Sequence, residues 1–229
     1  GAYLSATDGR HRDRWGIGDA AVYKQELAIQ NTRTPSGQQI RWEKDEGADG
    51  DFTDVWQLVA DMTQPSNAAK RDFLWDELDV PAMVNYMAFQ SFTRHWDSTI
   101  KNLFVVRDAE GSGRWRMETW DLDAIFQPRS IRAVPLEMLP PTNHPFTKAM
   151  LDDPQIKAMF SRRLRTLIDQ YSADALIAAY DTHYAEVSGA WGDDHAASGF
   201  KPSPSQERSN FVRGVRERYA LFARESRAG

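Results

Sequence analysis

Two short stretches of the chain hold side chains that could do chemistry together. The first is His95-Trp96-Asp97-Ser98-Thr99-Ile100-Lys101-Asn102, and the second is Trp120-Asp121-Leu122-Asp123. Moving a phosphoryl group from a nucleotide to a hydroxyl asks for little covalent work. It needs a carboxylate near the accepting hydroxyl and oxygen ligands for a magnesium ion on the phosphates. Asp97 meets the first need, and Asn102, Asp121 and Asp123 meet the second. Singly, each has a plainer role: Asp97 could cap a turn, Asn102 could satisfy loop backbone, and Asp121 could close a hairpin. Their joint arrangement points instead to a site for metal and nucleotide.

Asp97 and Asn102 stand five residues apart, the spacing of the protein-kinase catalytic loop H-R-D-x-x-x-x-N, and His95 sits two before the acid as it does there. For Asp121 to join them the chain must return on itself. Leu103-Phe104-Val105-Val106 reads as a strand, Asp108 to Gly113 as a turn, and Arg114 to Trp120 as a second strand in which Trp115, Met117 and Thr119 alternate with charged neighbours. Antiparallel strands bring the chain back to its starting edge, which puts Asp121 beside Asn102. Asp123 would share its face if the strand continued. Trp96, Trp115 and Trp120 read as core or hairpin packing.

The elements that must carry this hairpin are mostly helical. Val55, Leu58, Val59 and Met62 fall on one helical face, and after a Pro65-Ser66 break a second short helix runs through Phe73, Leu74 and Leu78. The clearest helix follows, with Asp79 as N-cap, Pro81 in the first turn, and an apolar stripe of Val80, Met83, Val84, Met87, Ala88 and Phe92. Three more helical patterns cover Ile156 to Tyr171, Ala173 to Val187 and Ser205 to Arg224, the last with Phe211, Val215, Tyr219 and Phe222 aligned. Residues 1 to 50 read as strands and loops, Glu43 to Asp51 as a turn or mobile loop, and the Pro-rich stretch 128 to 145 as an irregular crossing. The fold class is α+β, without an internal repeat.

Composition removes several alternatives. There is no cysteine in the 229 residues, which excludes disulfide scaffolds, thiolate metal sites and cysteine nucleophiles. Lys and Arg number 28 against 33 Asp and Glu, a net charge of −5 that argues against holding nucleic acid by bulk attraction. No apolar run approaches the roughly 18 residues of a membrane span. The compartment stays open, because an absence of thiols suits the cytosol and the extracellular space equally. His11, His144, His183 and His195 lack paired ligand spacing, and Arg10, Arg12 and Arg14 read as a solvated loop. Arg162, Arg163 and Arg165 read as the wet face of a helix.

In order and spacing the chain resembles the CotH kinase-like family, bacterial atypical protein kinases first named for a spore-coat protein. The likeness rests on Leu78-Asp79-Val80, Tyr86, His95-Trp96-Asp97-Ser98, Asn102-Leu103-Phe104-Val105, Arg114-Trp115-Arg116 and Trp120-Asp121-Leu122-Asp123-Ala124-Ile125-Phe126. Gly1-Ala2-Tyr3 and Val22-Tyr23-Lys24 look like earlier signposts of the same family. The resemblance implies a kinase-like fold that uses ATP with Mg2+ or Mn2+ to phosphorylate Ser or Thr of protein substrates. It assigns Asp97 as catalytic aspartate, Asn102 and Asp121 as metal ligands, and Asp123 as an auxiliary one. His95 stands where the family commonly has Asn, and Gln127 where it has Gly.

Family members carry a further N-terminal section with a Lys for the nucleotide phosphates, expected to lie before residue 1, so the N-terminal lobe is expected to be truncated. On that reading residues 1–50 are a remnant of that lobe and hinge, and 51–229 are the mostly helical C-terminal lobe. Gly16-Ile17-Gly18 running to Lys24 echoes a Gly-rich phosphate loop, but Lys24 follows Gly18 by only six residues, too few for a hairpin over the phosphates. A separate role for Lys24 near the nucleotide remains. Two other classes compete: a pseudokinase or structural coat scaffold, and a metal-dependent phosphohydrolase built on the same acids.

Overall fold

A computed structural model of the protein describes residues 20–25, 42–46, 51–65, 67–95, 101–108, 111–128, 144–199 and 202–225. The chain divides into two compact units. The first takes in residues 1–88, 97–122 and 139–163, and the second 89–96, 123–138 and 164–229.

The first unit is built on a four-stranded sheet in the order β2-β1-β3-β4, every neighbouring pair antiparallel. Its strands are β1 (Ala20–Gln25), β2 (Trp42–Glu46), β3 (Leu103–Asp108) and β4 (Trp115–Thr119). The expected hairpin is β3 and β4. Asp108 organises its turn, accepting from the Gly111 and Ser112 amides at 3.0 Å each while its carbonyl takes the Gly113 amide at 2.8 Å. Gly113 sits at φ +70°, where a side chain would be strained. Tyr23, Leu103, Val105, Trp115 and Met117 are buried on the inner face. The Tyr23 hydroxyl donates to the Asp54 carboxylate and to the Asp51 carbonyl, tying β1 to the start of the first helix.

That helix, α1 (Thr53–Met62), buries Val55, Leu58, Val59 and Met62, the face expected of it. Next come α2 (Ala68–Glu77) and α3 (Val80–Thr93). Asp79 caps α3 as its sequence suggests, taking the Ala82 amide at 3.1 Å, and the Asp79 amide itself bonds the Trp115 carbonyl at 2.8 Å. The whole predicted stripe of α3 is buried. So are Tyr86, Gln90, Ser91 and Thr93, so the helix is covered on more than one side. Val80–Ala88 belongs to the first unit and Phe89–Thr93 to the second.

Two expectations for this unit are corrected. Glu43 to Glu46 is strand rather than loop, because its backbone pairs with β1 in the register Lys24↔Glu43 and Tyr23↔Lys44. A helix not foreseen, α4 (Pro145–Asp152), begins inside the stretch read as irregular. Its Pro stands at the first helical position, where a missing N–H is harmless. Phe146 of α4 stacks on Trp42 with centroids 6.4 Å apart. The crossing before it, residues 129–143, lies outside the described residues.

The second unit holds the later part of α5 (Pro154–Gln170), then α6 (Ala173–Ser198) and α7 (Pro204–Glu225). Helix α6 runs past the expected stop at Val187, ending only where Gly199 turns left-handed at φ +63°. Phe92 gathers Phe126, Tyr171, Tyr219 and Phe222 within 6.3 Å or less between centroids. Between α6 and α7, Arg208 grips Asp181 through two bonds of 2.6 and 2.8 Å, and Tyr180 stacks on Phe211 at 4.1 Å.

Candidate active site

The hairpin does what the sequence reading required of it. Leu103 pairs with Thr119, and one rung further out the Trp120 amide bonds the Asn102 carbonyl at 3.3 Å. Asp121 follows directly, so its backbone returns beside Asn102. Phe104 and Trp120 meet edge to face at 5.3 Å, which fixes the approach of the second strand end. Asn102 is buried at 4% exposure, whereas Asp121 is exposed.

Lys24 lies at the same end of the sheet. It pairs with Phe104 on β3, two residues from Asn102, and with Glu43 on β2. Directly opposed residues share a face, so Glu43, Lys24, Phe104 and Glu118 form one row across four strands. The Lys24 Nζ stands 3.5 Å from Glu43 Oε2. Sequence reasoning missed Glu43, assigning it to a loop. The signal was there in the apolar–charged step Trp42-Glu43 and in the pairing partner that Lys24 needs.

Backbone strain gathers around the same segments. Among the described residues, four without a glycine's freedom have positive φ: Arg94 at 54°, Asn102 at 63°, Asp121 at 52° and Phe126 at 51°. The left-handed region costs an L-residue roughly 1–2 kcal/mol, least for Asn and Asp, whose short polar side chains bond locally. In sequence, Arg94 and Asn102 bracket Asp97, while Asp121 and Phe126 bracket Asp123.

In the second unit the chain leading toward Asp97 is tied to the chain leaving Asp123. The Phe126 amide donates to the Thr93 carbonyl at 2.7 Å, and Arg94 Nη1 to the Gln127 carbonyl at 2.9 Å. His95, buried at 3% exposure, reaches Gln90 Oε1 through Nδ1 at 2.8 Å. Arg218 of α7, at 1% exposure, donates to the Ser91 carbonyl and lies over the Phe222 ring at 4.8 Å. Burial, with the charge of Arg94 adding to it, pushes its guanidinium down to about 9. It stays charged at neutral pH.

Asp97, with Trp96, Ser98, Thr99 and Ile100, lies outside the described residues, as do Gly16, Gly18 and the Arg10–Arg14 cluster. Asp123 does not continue a strand. β4 ends at Thr119, and Leu122–Ala124 is a 3-10 turn entered through the left-handed Asp121, so the alternation argument for its side chain fails. Trp115 is core, while Trp120 is 36% exposed. His183 is exposed and 3.4 Å from Glu186, and His144 is buried.

Among the described residues no group of three or more His, Cys, Asp or Glu side chains is placed to hold a metal ion. A centre at the hairpin end would draw on the Asn102 amide oxygen and the Asp121 carboxylate, which follow one another across the strand ends. Hard oxygen donors of this kind fit Mg2+ or Mn2+ and suit softer metals poorly. Among the described residues no helix is long and apolar enough to cross a membrane.

No curated protein matches the chain. The family model described as CotH kinase protein matches residues 8–219 of the 229, a span that includes both stretches of candidate site residues. The chain belongs to the CotH kinase family, in agreement with the resemblance carried by its spaced motifs.

Proposed function

We propose that the protein transfers the terminal phosphoryl group of ATP to Ser or Thr hydroxyls of protein substrates. The observation that carries this reading is the meeting of Lys24, Asn102 and Asp121 at one end of the sheet, in a chain of a kinase-like family. The substrate oxygen forms the new P–O bond as the bond to ADP breaks, and Asp97 orients the hydroxyl and takes its proton. Asn102 and Asp121 hold the divalent ion, whose charge offsets that on the transferring group. Lys24, oriented by Glu43, reaches the phosphates from the neighbouring strand. Asp123 enters on the family resemblance alone, as an auxiliary acid. In this reading residues 51–229 form the lobe that carries the catalytic loop, and 1–50 supply the nucleotide side through Lys24.

Incubation with labelled ATP and Mn2+, followed by mass spectrometry of the protein and candidate partners, should show phosphoserine or phosphothreonine. Asp97→Asn and Asp121→Asn should each lower transfer by at least a hundredfold with the melting temperature held. Wild-type-like transfer in either variant would refute the assignment. Free phosphate as the product would favour hydrolysis, and an absence of any nucleotide effect on melting at millimolar ATP would favour a scaffold.

A further inference from the structure

The first unit holds a cleft of about 140 Å³ between the start of α2 and the α4–α5 junction. Its walls are apolar: Leu74, Ala149 and Pro154. An apolar cavity of about this size, roughly 150 Å³, is enough to take a benzene ring. Into it also face charged and polar groups, and a count of their donors and acceptors is one-sided.

Both Asp153 oxygens are used. Asp153 Oδ1 caps α5, taking the Gln155 and Ile156 amides at 2.8 and 3.0 Å, and Oδ2 takes Arg71 Nε at 3.1 Å and Trp75 Nε1 at 3.5 Å. Burial works to raise its carboxyl, but these bonds and the Arg71 charge hold it below the usual range. Asp152 is bound by Lys148 at 2.7 Å. The donors are not used up. Lys70, 6% exposed, spends one of three N–H groups on the Gln64 carbonyl at 3.1 Å. Arg71 commits Nε to Asp153 and Nη2 to Gln155, leaving Nη1 outside these bonds. Asn67 uses its oxygen to cap α2 through the Lys70 amide, which leaves its NH2 group.

We propose that this cleft binds a small organic carboxylate with an apolar body about the size of one ring, its charged end on Lys70 and its body against Leu74, Ala149 and Pro154. A carboxylate joined to an apolar body matches both the remaining donors and the walls. Burial lowers the Lys70 amine from its ordinary value, the Asp152 carboxylate offsets part of that, and a bound anion would add to the offset. The site is independent of the phosphotransfer reading, since none of its residues belongs to that machinery.

Benzoate is the probe, titrated calorimetrically into the intact protein. Saturable binding of one equivalent is expected, with Kd on the order of 1 mM. Benzamide, which keeps the ring and loses the charge, and inorganic phosphate, which keeps a charge and loses the ring, should each bind at least tenfold more weakly. Lys70→Met should weaken benzoate about tenfold or more. Ala149→Phe, which fills the cleft without touching the amine, should abolish binding while melting stays cooperative, so a folding defect in one variant leaves the other decisive. Equal binding of benzamide or phosphate, benzoate binding that survives both substitutions, or none at 20-fold the expected Kd, roughly 20 mM, would overturn the proposal.

Discussion

At the scale of single residues, the proposed function gives Asn102 and Asp121 a second job beside their backbone one, and substitutions can separate the two. Both hold left-handed backbone, at φ 63° and 52°. Asn102→Gly keeps that conformation and removes only the side chain, whereas Asn102→Ala adds backbone strain of about 1 kcal/mol. The two variants should therefore lose phosphotransfer alike but differ in stability, with the Ala form lower by roughly that amount in urea denaturation. Equal activity of the Gly variant and the parent would remove Asn102 from the reaction. His144 poses a different problem. It is buried, both ring nitrogens lack a hydrogen-bond partner among the described residues, and burial pushes it down to about 4 from an ordinary 6.5. The folded state thus binds fewer protons than the unfolded one between those values. Stability is full above pH 6.5 and is lost as pH falls toward 4, by on the order of 3 kcal/mol. His144→Leu should flatten urea-derived stability between pH 4.5 and 6.5, and an unchanged slope would mean other groups set it.

At the scale of elements, the second unit offers a case where helix propensity gives the wrong sign. Gly214 lies within α7, where Ala would ordinarily stabilise by up to about 1 kcal/mol. A Cβ added there would fall 1.5 Å from the Phe126 carbonyl oxygen. Gly214→Ala must therefore displace either α7 or the Phe126 turn, which bonds to Thr93, and should destabilise by roughly 2 kcal/mol or more. A gain in thermal stability would show that contact to be soft. The same turn shows how far a sequence can be read. The stripe of α3, the Asp79 cap and the β3–β4 hairpin were legible, because each depends on residues near in sequence whose period or capping chemistry is local. Gly214 was not, since its reason lies 88 residues away at Phe126. The strand at Glu43 carried only the short apolar–charged step at Trp42-Glu43, and an acidic run leading into glycine looks like a loop until Lys24 is known to stand opposite. The 3-10 turn at Asp123 was missed because the left-handed step at Asp121 breaks the alternation that its side-chain direction was inferred from.

At the scale of the whole molecule, net charge sets a condition on the proposed reaction. A protein of charge −5 repels a nucleotide triphosphate at long range, so binding must rest on local cations close to the phosphates. Lys24 supplies one positive charge, and Glu43 at 3.5 Å offsets part of it. In the proposed reaction the divalent ion supplies the main part of the remainder. Stabilisation by ATP should therefore be conditional on metal. At 100 times Kd a ligand that binds only the folded state adds about 2.7 kcal/mol, a rise of roughly 5–10 °C for a chain of this length. ATP with Mn2+ should produce a rise of that size, growing with the logarithm of concentration, and ATP with a chelator should give little. Lys24→Met should reduce the shift, and Asp121→Asn should reduce it further by weakening retention of the ion. If ATP with chelator raised melting as much as ATP with Mn2+, the ion would have no place in binding. Asn102 and Asp121 would then revert to turn-forming residues at the end of a hairpin.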